Sequence, residues 1–246
     1  MIIGQQSEAV AVDVIKSVAA RAGAPVWLYG EDFFAFEEHG RLVYQDERGL
    51  LDLPMPRLSG RHQLSNAATA IATVRRAGFD PSEQAIEKGL LSAEWPGRLQ
   101  RITTGPLAEA AFPGTEIWLD GGHNPGAGLV IAEAIADMED KTQRPLFLIV
   151  GMINTKDPLG FFAAFSGMAR HVFTVPVAHS DAAIDPDTLA DAAIEAGLDA
   201  EPCNSVEEAI RLVCTGWSNA PAPRFLICGS LYLVGEVLAL SGLAPT

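Results

Sequence analysis

Scarcity of lysine narrows the function of this 246-residue chain first. It holds four lysines, no run of Lys or Arg, and a formal net charge of −14. A nucleic-acid partner needs a basic face, so that class is set aside. A small phosphate ligand is still admissible, because a few local cations and helix N-termini suffice for it. No lysine follows a glycine: Lys16, Lys88, Lys141 and Lys156 are preceded by Ile, Glu, Asp and Thr. An ordinary Walker A loop closes on Gly-Lys, so these 246 residues contain none. Cysteine is scarce too. Cys203, Cys214 and Cys228 are odd in number and form no CxxC, with no His at ligand spacing. That argues against a disulfide framework or a zinc site and for reduced, structural thiols. The apolar run Pro145–Ile153 is too short to span a bilayer, and "MIIGQQSEAV" has no basic region leading into an apolar stretch. The expected compartment is the cytoplasm, with no membrane partner.

Hydrophobic residues make up 48% of the chain and charged residues 20%, enough to bury a full core. Glu8–Ala22 carries Val10, Val14 and Val18 at helical spacing, with Gly23 placed to stop the helix. "PVWLYG", "FFAFEE" and "RLVYQDERGLLDL" read as strands of a small antiparallel meander. "HQLSNAATAIATVRRAG" reads as a helix ending at Gly78, followed by a second helix capped by Asp80 with Pro81 at its first position. Trp95-Pro96-Gly97 breaks the pattern, and a domain junction is expected there, dividing residues 1–95 from 96–246.

From Arg98 onward, strands and helices alternate. Strands are expected at Leu99–Thr103, Ile117–Asp120, Leu146–Val150, His171–Val175 and Arg224–Cys228. Helices are expected at Pro125–Met138, Asp157–Met168, Pro186–Glu195, Val206–Cys214 and about Leu231–Leu240. Asp185-Pro186 and Ser205-x-x-Glu208 mark helix starts. Such alternation predicts an α/β fold: a mostly parallel sheet with helices on both faces.

Three readings compete for the loop "LDGGHNPGAG" that follows the second of these strands. Ligands of open α/β sheets collect at the carboxyl edge, where Asp120 would lie. A dinucleotide fingerprint does not fit: Gly121, Gly122, Gly126 and Gly128 are in the wrong order, and the next strand ends "LIVGM" without a carboxylate. A Walker A loop does not fit either, since Ala127-Gly128 stand where Lys-Ser/Thr is required. The third reading takes Asp120, His123 and Asn124 as the point of the loop: a carboxylate holds ribose hydroxyls, and an imidazole meets phosphate or a reacting carboxylate. Against it stands ordinary helix capping by Asp and Asn, with a solvated loop histidine.

Read with its neighbours, the loop gains a context. "SGRHQLSNAATAIA", "WPGRLQRI", "WLDGGHNPGAG", "GMINTKDPLGFF" and "CGSLYLVGEVL" occur in that order. Together they resemble folylpolyglutamate synthase/dihydrofolate synthase, of the Mur ligase superfamily. The resemblance implies a Rossmann-like C-terminal domain, with mostly parallel sheet, over residues 96–246. It makes residues 1–95 the tail of a central ATPase domain. It also implies a ligase that uses ATP and Mg²⁺ to join L-glutamate to folate or dihydropteroate through an acyl phosphate.

Carried over by motif, Asn66 resembles the asparagine that reads the adenine edge, one helical turn after His62. Arg98 resembles an arginine that reaches ATP phosphate. Asp120 resembles the ribose-binding aspartate. His123 resembles a histidine near the transferred phosphate and the incoming glutamate, and Ser230 a serine implicated in glutamate binding. Lys156-Asp157 resembles a family Lys-Asp pair. Gly122 stands where the family has alanine, a change expected to leave the loop intact.

The family's P-loop, its magnesium ligands and its carbamylated lysine have no counterpart in these residues; "MIIGQQSEAV" resembles the segment that follows them. No ligation is therefore expected from this chain alone, and the intact enzyme is expected to be a monomer. Residues 1–95 are expected to leave an open sheet edge. A Mur-type peptidoglycan ligase and a non-catalytic nucleotide- or glutamate-binding module are the competing readings.

Overall fold

The computed structural model describes residues 1–6, 8–178, 180–218 and 221–244. It separates into two compact units, Met1–Glu94 and Trp95–Thr246.

The first unit runs β1 (Ile2–Ile3), α1 (Ala9–Arg21), β2 (Trp27–Leu28), β3 (Phe33–Glu38), β4 (Arg41–Asp46), β5 (Gly49–Pro54), α2 (His62–Arg76) and α3 (Glu83–Ser92). β3, β4 and β5 form an antiparallel meander. Its first turn places His39 and Gly40 at φ 51° and 74°, the positive pair that a tight two-residue hairpin requires. Phe33, Leu42, Tyr44 and Leu53 cover Ala67, Ala68, Ile71 and Ala72 of α2 and Ile86 of α3. The small side chains along α2 let the helix lie close to the sheet.

Three expectations are corrected here. "PVWLYG" does not join the meander: Trp27 and Leu28 pair parallel with Ile2 and Ile3, in a separate two-stranded sheet. A parallel pair needs a crossover, and α1 supplies it. The strand "RLVYQDERGLLDL" is two strands, folded back so that Asp46 faces Gly49. Asp80 caps no helix. It sits at φ 41° and pairs with Arg48, while Ser82 caps α3 by accepting from the Ala85 amide at 3.3 Å.

Along α1 the apolar periodicity marks a helix, as expected, but the periodic residues face outward. Val10, Val14 and Val18 are 72%, 57% and 44% exposed, and Ala19 is the buried position.

The second unit runs β6 (Gln100–Ile102), α4 (Pro106–Ala110), β7 (Glu116–Leu119), α5 (Pro125–Lys141), β8 (Leu146–Val150), α6 (Pro158–Ala163), β9 (Ala169–Thr174), α7 (Pro186–Glu195), β10 (Ala200–Pro202), α8 (Val206–Cys214), β11 (Arg224–Cys228) and α9 (Leu231–Leu240). Its six-stranded sheet has the order β10-β9-β8-β11-β7-β6, parallel throughout except for β6. β8 and β11 are buried at every position and apolar nearly throughout, as central parallel strands must be. Alternate side chains divide between two cores. Leu148, Val150, Leu226 and Cys228 pack with α5, α6 and α7; Phe147, Ile149, Phe225 and Ile227 pack with α4, α8 and α9. The mostly parallel, doubly covered sheet is therefore as expected.

α6 is shorter than its apolar pattern suggests: Ala163 ends it, and Gly167 turns the chain at φ 76°. Short α4 and the edge strand β10, which ends in Pro202, carried no readable pattern. An edge strand tolerates that proline because no neighbour needs its N–H.

Candidate active site

The carboxyl edge of this sheet is laced by main-chain bonds between loops far apart in sequence. Asp120 N donates to Ile227 O at 3.0 Å, Gly229 N to Gly122 O at 2.9 Å, and Gly151 N to Cys228 O at 3.2 Å. The loops after β7, β8 and β11 thus meet, and the candidate residues of the second unit stand on or beside them.

Asp120 is buried, at 5% exposure. Its Oδ1 accepts from Gly122 N at 2.7 Å and its Oδ2 from Leu99 N at 2.9 Å. The carboxylate is thus engaged by two amides, one on each oxygen. Beneath it, burial pushes the Cys228 thiol well above its ordinary range, and the Asp120 charge adds to that. Cys228 is a neutral packing group.

His123 Nδ1 lies 2.7 Å from Gly121 O. A carbonyl only accepts, so Nδ1 donates in this bond, and of the two neutral tautomers the bond selects the one whose lone pair lies on Nε2. Asn124 caps α5, accepting from Ala127 N at 2.9 Å ahead of Pro125. That residue is a cap, as its type suggests. Ser230 caps α9, accepting from Tyr232 N at 3.1 Å, and is buried. Its hydroxyl hydrogen stays available as a donor. Asp157 caps α6 through Gly160 N at 2.9 Å, which leaves Lys156 half-buried just before that helix.

Arg98 is exposed and forms no ion pair with any of the described residues. The turn that carries it is tied down on every side. Gly97 N donates to Gln100 Oε1 at 2.9 Å, Gly121 N to Gly97 O at 2.8 Å, and Leu99 N to Asp120. Gly97 sits at φ 71°, and any side chain there would strike Val234. Leu99, buried, sits at φ 40°. A left-handed non-glycine residue costs on the order of 1–2 kcal/mol, so the surrounding bonds must hold it. Sequence reasoning took Pro96-Gly97 as a boundary and missed this turn; the Gln100 position was the available signal.

In the first unit, Asn66 stands exposed on α2, where its Nδ2 donates to Gln63 Oε1 at 3.2 Å. Gln63 Nε2 in turn meets His62 Nε2 at 2.9 Å. Asn66 and Gln63 are the polar groups lining a cavity of about 490 Å³ between α2 and α3, otherwise walled by residues such as Ala67, Ile71, Phe79 and Ile86.

Gly122 has no room for a side chain. A methyl group there would fall 2.3 Å from Ile131 Cδ1. The Ile131 tip occupies the volume that an alanine would need.

A family model described as "Dihydrofolate synthetase, C-terminal domain" matches residues 107–240, more than half of the chain. The chain belongs to this family. Folylpolyglutamate synthase of Lacticaseibacillus casei is 28% identical over 244 residues, covering 92% of this chain and 52% of that protein. Dihydrofolate synthase/folylpolyglutamate synthase of Escherichia coli is 27% identical over 231 residues, covering 91% and 48%. A crystal structure of the bifunctional synthase from Yersinia pestis, complexed with AMPPNP and a Mn ion, superposes with a TM-score of 0.75 at 26% identity, over 92% of this chain and 50% of that one. The chain thus spans about half the length of these three relatives. No helix among the described residues is long and apolar enough to cross a membrane. Nor does any group of three or more His, Cys, Asp or Glu among them lie close enough to hold a metal ion.

Proposed function

We propose that this chain is the amino-acid-joining portion of an ATP-dependent ligase that forms an amide between folate or dihydropteroate and L-glutamate. The observation that carries this reading is the laced carboxyl edge, with His123, Ser230 and the Arg98 turn built on it, in a chain of this family.

A carboxylate is a poor electrophile at neutral pH. In the reaction it attacks the γ-phosphorus of ATP, ADP departs, and the acyl phosphate loses inorganic phosphate when the glutamate amine attacks its carbonyl. Anions crowd together throughout, so cations and N–H donors aimed at them lower the barrier. In this reading Arg98 meets phosphate. Asn66 is read as the residue that meets the adenine edge, and Asp120 as the one that meets the ribose. His123 Nε2 accepts a proton from the attacking amine, and Ser230 donates to the glutamate. No step is routed through a metal here. The compartment this implies is the cytoplasm, and the substrates are small molecules.

The phosphate-gripping half is supplied, in this reading, by polypeptide outside these residues. Three features support that: no Gly-Lys dipeptide, a two-stranded parallel sheet, and the outward valine face of α1. Parallel sheets are ordinarily covered on both faces. Residues 1–95 then form the tail of an ATPase domain and 96–246 the glutamate-joining domain.

The test is ADP release dependent on glutamate and on tetrahydrofolate or dihydropteroate. The chain is assayed alone and mixed with the amino-terminal half of the Lacticaseibacillus casei synthase. Turnover is expected only in the mixture, falling about 10²–10⁴-fold with His123→Ala. Robust turnover by the chain alone, or indifference to His123, would overturn the reading. A nucleotide-binding module without catalysis is the second reading, favoured by the missing Gly-Lys; it predicts ADP binding and no turnover in either case.

A further inference from the structure

We propose that Asp120 is a positioning residue for Arg98: its buried carboxylate clasps the left-handed turn Gly97–Leu99 and thereby sets where the guanidinium stands. This rests on the reading of Arg98 as a phosphate-binding cation.

The clasp is visible bond by bond. Three main-chain groups flank Arg98, and each has one specific partner. Gln100 Oε1 holds Gly97 N, Gly121 N holds Gly97 O, and Asp120 Oδ2 holds Leu99 N. The same carboxylate grips Gly122 N through its other oxygen. One side chain therefore fixes the arginine turn and the loop leading to His123 in a single frame. Leu99 explains why so firm a grip is present. Among the described non-glycine residues at positive φ, His39 lies in a hairpin turn and Asp80 is paired with Arg48 in a loop. Leu99 alone of these is buried and aliphatic, in a conformation it would leave if released. Relaxing it to ordinary φ would swing the neighbouring Arg98. The two carboxylate–amide bonds also stand where water has little access, so they are not readily replaced by solvent.

A ribose ligand and a positioning residue respond differently to a probe without ribose. The variants are Asp120→Asn, which keeps the shape but sets an NH₂ against one of the two amides, and Arg98→Ala. The probes are inorganic tripolyphosphate and ADP, titrated by calorimetry into the whole chain. Arg98→Ala is expected to weaken tripolyphosphate about tenfold. Asp120→Asn is expected to weaken it comparably, and the double variant no further than Arg98→Ala. If Asp120→Asn weakens ADP but leaves tripolyphosphate unchanged, Asp120 is a ribose ligand only and the proposal falls. If it lowers the melting temperature but moves neither affinity, the residue is merely structural and the proposal also falls.

A second measurement needs no ligand. In Asp120→Asn, Leu99 is expected to lose its left-handed φ by backbone couplings and carbon shifts, with its amide exchanging about tenfold faster or more. Unchanged φ and exchange would overturn the clasp. Should the unaltered chain bind no tripolyphosphate, the phosphate role of Arg98 falls for this chain, and the backbone measurement still decides what holds the turn.

Discussion

At the amino end of β11, the Arg224 guanidinium donates from Nε to Glu116 Oε2 at 2.8 Å while only 2% exposed. Glu139 pairs with its Nη1. One buried cation thus joins β11, β7 and α5 at the edge opposite the candidate site. Removing one partner of a buried pair strands the other, typically at a cost of about 3–5 kcal/mol. Arg101 and Arg144 remain near Glu116, at 3.6 and 3.4 Å, so Arg224→Met is expected at the low end, about 3 kcal/mol. Denaturant unfolding should report it. The exposed pair Lys16–Glu31 supplies the contrast: Lys16→Met should cost under about 1 kcal/mol.

Glu116 also predicts an acid response. Burial pushes its carboxyl up, but hydrogen bonds from Arg224 and Trp118 and the charges of Arg224 and Arg144 outweigh that and hold it below the ordinary value of 4.5. A carboxylate depressed in the folded state contributes stability above its unfolded pKa and loses it as pH falls through the folded one. Stability should therefore decline below about pH 4.5. Glu116→Gln should be less stable at pH 7 and show a shallower decline there. An unchanged slope in Glu116→Gln would mean that other carboxylates carry the acid transition.

How much of this was legible in the sequence depends on what each residue must satisfy locally. The central strands were readable because Leu146–Val150 and Arg224–Cys228 are near-continuous apolar runs between breakers, which is what double-sided burial requires. Helix starts at Asp185 and Ser205 were readable because a cap is a short-range bond. Even there Glu208 reaches back to the Asn204 amide rather than to the cap residue. Trp27–Leu28 was misassigned because its partner, Ile2–Ile3, lies across a helix and has no period of its own. Asp120, His123 and Ser230 were singled out by residue type and motif. The clasp on Leu99 was not, because a left-handed leucine is fixed by a carboxylate 21 residues away, and no local pattern announces it.

Gly122 and Ile131 should behave as a coupled pair. A methyl at residue 122 would meet Ile131 Cδ1 at 2.3 Å and Asp120 Oδ1 at 3.1 Å. Ile131 is packed among core residues and cannot turn freely. Gly122→Ala is expected to cost about 1–3 kcal/mol as overpacking. Ile131→Val removes the clashing carbon, so the double variant should recover part of that loss and be more stable than the two single changes summed. At Gly121 the obstructing atom is the tip of exposed Leu231, which can move aside, so Gly121→Ala should be close to neutral. Additive behaviour in the 122/131 cycle would show that the loop shifts instead of the side chain.

The outward valines of α1 distinguish a self-sufficient first unit from one built to be covered. Val14 is 57% exposed with exposed Val10 and Val18 one turn away on either side. In the chain alone, Val14→Glu should change stability by no more than about 0.5 kcal/mol, since exposed helical positions tolerate polar residues. In the mixture with an amino-terminal half, the same change places a charge against whatever apolar surface covers α1. Burying that charge unpaired costs several kcal/mol, so the concentration of the amino-terminal half needed for half-maximal turnover should rise tenfold or more, by roughly one decade per 1.4 kcal/mol. Val14→Ala, which removes area without adding charge, should shift it only slightly. Equal turnover curves for Val14→Glu and the unaltered chain would mean that α1 keeps its valines in water in the assembled enzyme, and the covering polypeptide would then have to dock elsewhere.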